Sequence, residues 1–151
     1  MARYIELNQL TIEITAGQLL TLDQTASSRY PKESCALLLG KKKENSYEIE
    51  EVIPTSNRDS SEEVRFTMDE NELLKIYKYA ELSNTSVVGI FHSHPSKPFP
   101  SETDKIYMEI NPIPWIIKST ITDEMRCFIF SDSSKGKIDG IEEIKMIVVK
   151  G

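Results

Sequence analysis

The sequence predicts an α+β domain, one mixed and mostly antiparallel sheet flanked by helices. Three observations predict it. Short apolar or alternating runs of strand length recur along the chain, often in hairpin-like pairs. Two long stretches and one short one with helical apolar spacing interrupt them. Two capping boxes mark where the long helices begin.

The elements follow in order. Leu10, Ile12 and Ile14 alternate with Thr11 and Glu13, the period of a half-buried strand. Thr15-Ala-Gly-Gln18 is a capping box, and Leu19, Leu22 and Ala26 continue at helical spacing up to Pro31, before which the helix must stop. Ser34 to Gly40 is a nearly continuous apolar run, which fits a strand covered on both faces. Tyr47 to Ile53 and Val64 to Phe66 read as further strands. Thr67-Met-Asp-Glu70 caps a second helix whose stripe is Leu73, Ile76, Tyr77 and Ala80. Ser86 to Phe91 is a buried strand. Ile106, Tyr107 and Ile110 predict a short helix ended by Asn111-Pro112, and strands are expected at 114–120, 125–131 and 143–149.

A chain of 151 residues fits one domain, 1–151, large enough to hide roughly 70% of its unfolded surface. The net charge of −6 argues against broad binding to nucleic acid or to anionic membrane, and the Lys41–Lys43 run reads as a solvated turn. The N-terminus does not resemble a signal peptide, and no apolar run approaches the roughly 18 residues that span a bilayer. The expectation is a soluble cytoplasmic protein. Cys35 and Cys127 are the only cysteines and form no CxxC, so a tetrathiolate site is impossible and a disulfide framework is not indicated. Each reads as a small buried residue; a single bridge between them stays open.

The chemistry concentrates in His92 to Asp104, HSHPSKPFPSETD, which holds both histidines of the chain. His92 and His94 continue the apolar strand before them, so the period of two sends both rings to one side. Two neutral imidazoles there can share a zinc ion at about 2.0–2.1 Å. A third ligand is needed. Asp104 follows a connection stiffened by Pro95, Pro98 and Pro100, and a turn of the chain there can bring it back to the histidines. Two histidines and a carboxylate leave a fourth position open, the pattern of catalytic rather than structural zinc. Each part also has a plainer reading: an H-x-H alone is a weak signal, and Ser101-Glu-Thr-Asp104 reads equally as a helix start. Neither explains why the only histidines end an apolar strand before a proline-stiffened turn and a capped acid.

His92-Ser-His94-Pro95 followed by Pro100-Ser101-x-x-Asp104 resembles the JAMM motif of the MPN+ metalloproteases, with every fixed position matched and the resemblance extending over most of the chain. It implies a deaminase-like sheet flanked by helices. It implies one Zn2+ per chain held by His92, His94 and Asp104, with Glu33 as general base and Ser101 as donor to the oxyanion. Cys35 would lie near the site by sharing the face of Glu33, with no chemistry assigned. The implied reaction is hydrolysis after the C-terminal Gly-Gly of a ubiquitin-like protein joined to lysine, with the extended tail added beside an exposed strand edge. Two alternatives follow from the same family: trimming of a residue or short extension from a ubiquitin-like sulfur carrier, and a non-catalytic scaffold, which an intact motif disfavours. Two nitrogens and an oxygen also suit other first-row ions.

Overall fold

A computed structural model describes residues 10–55, 70–131 and 139–151. In chain order their elements are β1 (Thr11–Thr15), α1 (Ala16–Arg29), β2 (Ser34–Lys42), β3 (Ser46–Thr55), α2 (Glu70–Leu82), β4 (Ser86–His94), α3 (Glu102–Ile110), β5 (Trp115–Ser119), β6 (Met125–Phe130) and β7 (Ile141–Val149). The expected strand Val64–Phe66, and the Thr67–Asp69 part of the second capping box, lie outside the described residues. The others form close to where their patterns place them.

The arrangement of the strands corrects the expected fold class. The sheet is not an open layer with helices on its flanks. It is a closed seven-stranded barrel in the order β1-β3-β2-β4-β5-β6-β7, with β7 pairing back onto β1. Three ladders are parallel (β1 with β3, β1 with β7, β4 with β5) and four antiparallel. The physical reason is that alternation fixes which face a side chain takes and says nothing about the partner strand. Closure joins Ile12 to Met146 across nearly the whole chain. The ring has no terminal edge strand, although β1 pairs with β3 only at Ser46 to Glu48, short of the strand's end at Thr55.

Local sequence explains the elements that position the site. The Thr15 hydroxyl accepts from Gln18 N at 3.1 Å and the Gln18 side chain accepts from Thr15 N at 2.9 Å, so α1 starts where its capping box sits. It ends at Arg29, ahead of the Tyr30–Pro31 peptide, and the chain then enters β2. β2 and β4 carry the longest buried runs; Ser34 to Gly40 and Val88 to His94 are continuously covered. At the β2 irregularity between Leu39 and Gly40, a Cβ on Gly40 would run into the Glu48 carbonyl, so only glycine allows that close approach.

Two apolar clusters explain why these strands lack a polar face. All seven strands contribute to the first, among them Ile12, Leu38, Ile49, Phe91, Ile116, Ile129 and Ile144, and α1 adds Leu22 and Ala26. The second joins β2, β4, β5 and β6 to Ile76 and Ala80 of α2 and Met108 of α3. Each fully buried side chain of this size contributes about 1.5–3 kcal/mol. Cys127 belongs to the first cluster and Cys35 to the second; they lie on different faces, and no disulfide joins them. Among the described residues no helix is long and apolar enough to cross a membrane.

Candidate metal centre

β2 and β4 run antiparallel, with Ser34 opposite Ser93 and Cys35 opposite His92. Glu33 stands one residue before Ser34, so alternation turns Glu33 and Cys35 to the face that carries His92 and His94. The other face is fixed by a serine pair: the Ser34 and Ser93 hydroxyls lie 2.7 Å apart and Ser34 N donates to Ser93 Oγ at 3.1 Å. This cross-link holds the two strands in register where the functional side chains leave them.

α3 supplies the remaining groups. Ser101 is its N-cap, and Asp104, at the third helical position, completes a capping box. Ser101 Oγ accepts from Asp104 N at 3.0 Å, while Ser101 N donates to Asp104 Oδ2 at 2.9 Å. The cap orients the carboxylate, leaving Oδ1 3.2 Å from His92 Nδ1 and Oδ2 3.8 Å from His94 Nε2. From the strand side, Glu33 Oε1 lies 2.8 Å from His92 Nε2. The two imidazoles meet edge to face with centroids 5.4 Å apart. Glu33, His92, His94 and Asp104 are all buried, at 5%, 2%, 4% and 1% exposure. The structure therefore brings together all four side chains, with Ser101 one hydrogen bond away.

The electrostatics follow from that crowding. Burial lowers the His92 pKa, but the carboxylates of Asp104 and Glu33 outweigh it and raise it to about 9. Burial and then the neighbouring His92 hold His94 below its ordinary value. Burial raises Asp104, but its contacts with His92 and with Ser101 N prevail and leave it low. Cys35 is pushed up by burial and by the charges of Glu33 and Asp104, which leaves it an inert packing thiol beside the site.

The residues suit a divalent ion. Buried carboxylates demand a compensating positive charge. The Nε2 atom of His94 is buried and, among the described residues, has no hydrogen-bond partner. Ligand atoms on one tetrahedral zinc at about 2.0–2.1 Å stand roughly 3.3 Å apart; Asp104 meets that spacing to His92, at 3.2 Å, and exceeds it to His94, at 3.8 Å. As they stand, no three His, Cys, Asp or Glu donors among the described residues are gathered closely enough to hold an ion. The reason is visible at His92, whose Nε2 faces Glu33 and only whose Nδ1 faces Asp104. Sequence reasoning also missed a neighbour. The Ser96 hydroxyl lies 2.7 Å from His94 Nδ1, and its signal was present in the H-S-H-P-S run two residues past the second histidine.

A family model described as prokaryotic homologs of the JAB domain, Prok-JAB, matches residues 17–130. The chain belongs to that family. The match runs from α1 through β6 and includes all five residues of the site, in keeping with the resemblance read from the motif. Among its relatives, the desampylase of Pyrococcus furiosus is 37% identical over 117 residues, which is 77% of this chain and 76% of that protein. A Thermus thermophilus protein named as a probable TtuB-protein conjugate cleaving protease is 32% identical over 108 residues, 70% of this chain and 66% of its own length. The solution structure of a protein from Desulfitobacterium hafniense, 28% identical, superposes with a TM-score of 0.78 over 93% of this chain and 94% of the other. The fold is therefore shared with that protein over nearly the whole chain.

Proposed function

We propose that this Prok-JAB chain is a zinc-dependent isopeptidase, a metalloprotease whose catalytic domain spans residues 1–151. It hydrolyses the bond between the C-terminal Gly-Gly of a ubiquitin-like protein and a lysine of its target. The observation that carries the reading is the buried meeting of two imidazoles and two carboxylates, with a buried His94 nitrogen left to accept a ligand. The names of the Pyrococcus and Thermus relatives, a desampylase and a conjugate-cleaving protease, support hydrolysis and a protein conjugate as substrate.

In this reading His92, His94 and Asp104 hold the ion. When bound, zinc polarises the scissile carbonyl and brings the pKa of water down towards about 7. Glu33, fixed at the start of β2, is the base: it takes a proton from the attacking water as the new C–O bond forms. It returns that proton to the lysine amine as the C–N bond breaks. The Ser101 hydroxyl already accepts from Asp104 N, so its own hydrogen is free to turn outward and donate to the tetrahedral oxyanion. The barrel beneath keeps these groups on rigid strands, and the proline-stiffened turn fixes α3 against them.

The test is cleavage of a lysine-linked conjugate of a ubiquitin-like protein ending in Gly-Gly, by wild type and by Glu33→Gln, with and without a zinc chelator. Release by wild type alone, stopped by chelator and restored by zinc, is the expected result. Cleavage that persists in chelator removes the metal from the reaction. Inactivity on the conjugate, with release from a linear carrier bearing a short C-terminal extension, moves the substrate from isopeptide to carrier trimming.

A further inference from the structure

The carboxylates and histidines of the motif do not account for the Ser96 hydroxyl, which lies 2.7 Å from His94 Nδ1. The chain bends at Pro95 and Ser96 directly after β4, which carries the hydroxyl back over the ring of the residue two before it. Ser96 is itself exposed, while His94 is 4% exposed. The two ring nitrogens thus have different surroundings. Nδ1 meets a hydroxyl at the surface; Nε2 is buried, without a hydrogen-bond partner among the described residues, and 3.8 Å from Asp104 Oδ2.

A hydroxyl can donate or accept, so this contact permits two tautomers of His94. If Ser96 donated to Nδ1, the ring hydrogen would sit on Nε2. It would then point towards a carboxylate oxygen too distant to accept it, and no lone pair would be left for an ion. If Nδ1–H donates to Ser96 Oγ, the Nε2 lone pair faces Asp104 and is available as a ligand. Ligating imidazoles are commonly fixed in this way by an outer partner on the second nitrogen.

We infer that Ser96 is a positioning residue for His94: its Oγ accepts from Nδ1–H and so holds the Nε2 lone pair toward Asp104, ready for a divalent ion. The inference rests on the metal-centre reading above, but its test separates the two. Nitrogen-15 NMR of the metal-free protein reports which nitrogen of His94 carries hydrogen. Zinc titration against a chromophoric chelator reports affinity at one pH for wild type, Ser96→Ala and Ser96→Thr. The expected results are the Nδ1–H tautomer in wild type and a loss of about 10-fold or more in zinc affinity for Ser96→Ala. Ser96→Thr, which keeps the hydroxyl, retains near wild-type affinity. The thermal midpoint of metal-free Ser96→Ala should match wild type, which separates a positioning effect from a folding defect. An Nε2–H tautomer in wild type, or equal zinc affinity in Ser96→Ala, overturns the inference. If wild type binds no zinc, the metal-centre reading fails, and the NMR tautomer alone decides whether Ser96 sets the ring.

Discussion

Two buried basic side chains in this protein each sit between two carboxylates, and the two places differ in where those carboxylates stand. In β5, Lys118 Nζ lies 3.1 Å from Asp23 and 3.2 Å from Asp123, and donates to the Asp123 carbonyl at 3.3 Å. Its side chain is 8% exposed, but those of Asp23 and Asp123 are 50% and 89% exposed. In β4, His92 lies between Glu33 and Asp104, and there the carboxylates are as deeply buried as the imidazole. The lysine cluster is complete in itself: burial lowers the Lys118 pKa, but Asp23 and Asp123 outweigh it and keep the cation charged, while water solvates the acids. The histidine cluster has desolvated acids facing a group whose charge depends on pH. Burying carboxylates is costly unless a positive charge is brought to them. One arrangement is a finished ion pair; the other loses its cation as pH rises through about 9.

Breaking the comparison at its most sensitive point gives the largest effect. Glu33→Gln should lower turnover by about 10²–10⁴-fold, with zinc content by metal analysis unchanged. Lys118→Met should leave turnover at the wild-type level; a loss there would mean that the two clusters are coupled. Next is Asp104→Asn, which retains an oxygen for the Ser101 N–H and so keeps the helix cap. Its zinc affinity should fall by more than the roughly 10–100-fold that an outer partner is worth, read by chelator competition.

The pH response should separate the clusters without any substitution. In chelator-treated protein, His92 rises from an ordinary 6.5 to about 9 on folding. A raised pKa stabilises fully below the unfolded value and loses that stability as pH climbs through the folded one. Denaturant melts should therefore show stability falling between pH 6.5 and 9.5, by roughly 3 kcal/mol at most. Lys118→Met should show the same fall, since Lys118 stays charged across that window. A flat profile in both proteins would mean that His92 is not held between the acids in solution. The smallest effect is Lys118→Met itself, at about 1 kcal/mol in the same melts, because its partners are surface carboxylates.

The contrast also explains what could be read from the sequence. Glu33 came only from the family resemblance, since no local pattern separates it from the other acids; His92 and His94, by contrast, end a strand whose apolar run was visible, and Asp104 enters through a capping box visible as Ser101-x-x-Asp104. Local pattern carried these last three because each depends on spacing along a single element. Lys118 looks like any polar residue of the strand WIIKS; its partners come from α1 and from the turn after β5, and no spacing announces them. Ser96 was visible as a residue, but its role depends on a bend that spacing does not encode. The closure of the barrel was unreadable for the same reason: the alternation in β1 tells which side chains are buried, and nothing in it points to β7 as the parallel neighbour.

That parallel seam has a consequence for how the molecule is made. On a ribosome β1 emerges ahead of β3 and can meet it soon after, since those strands are neighbours in the ring. Its other partner, residues 141–149, is synthesised only after β2 to β6. Until then β1, and the face of α1 that shares its cluster, lack one wall, and Ile12 and Ile14 remain incompletely covered. Long-range pairings of this kind form slowly and leave apolar surface exposed while they wait. A nascent chain stalled before β7 would therefore display its unfinished barrel seam to chaperones and proteases, although every residue of the proposed catalytic site would already have been made.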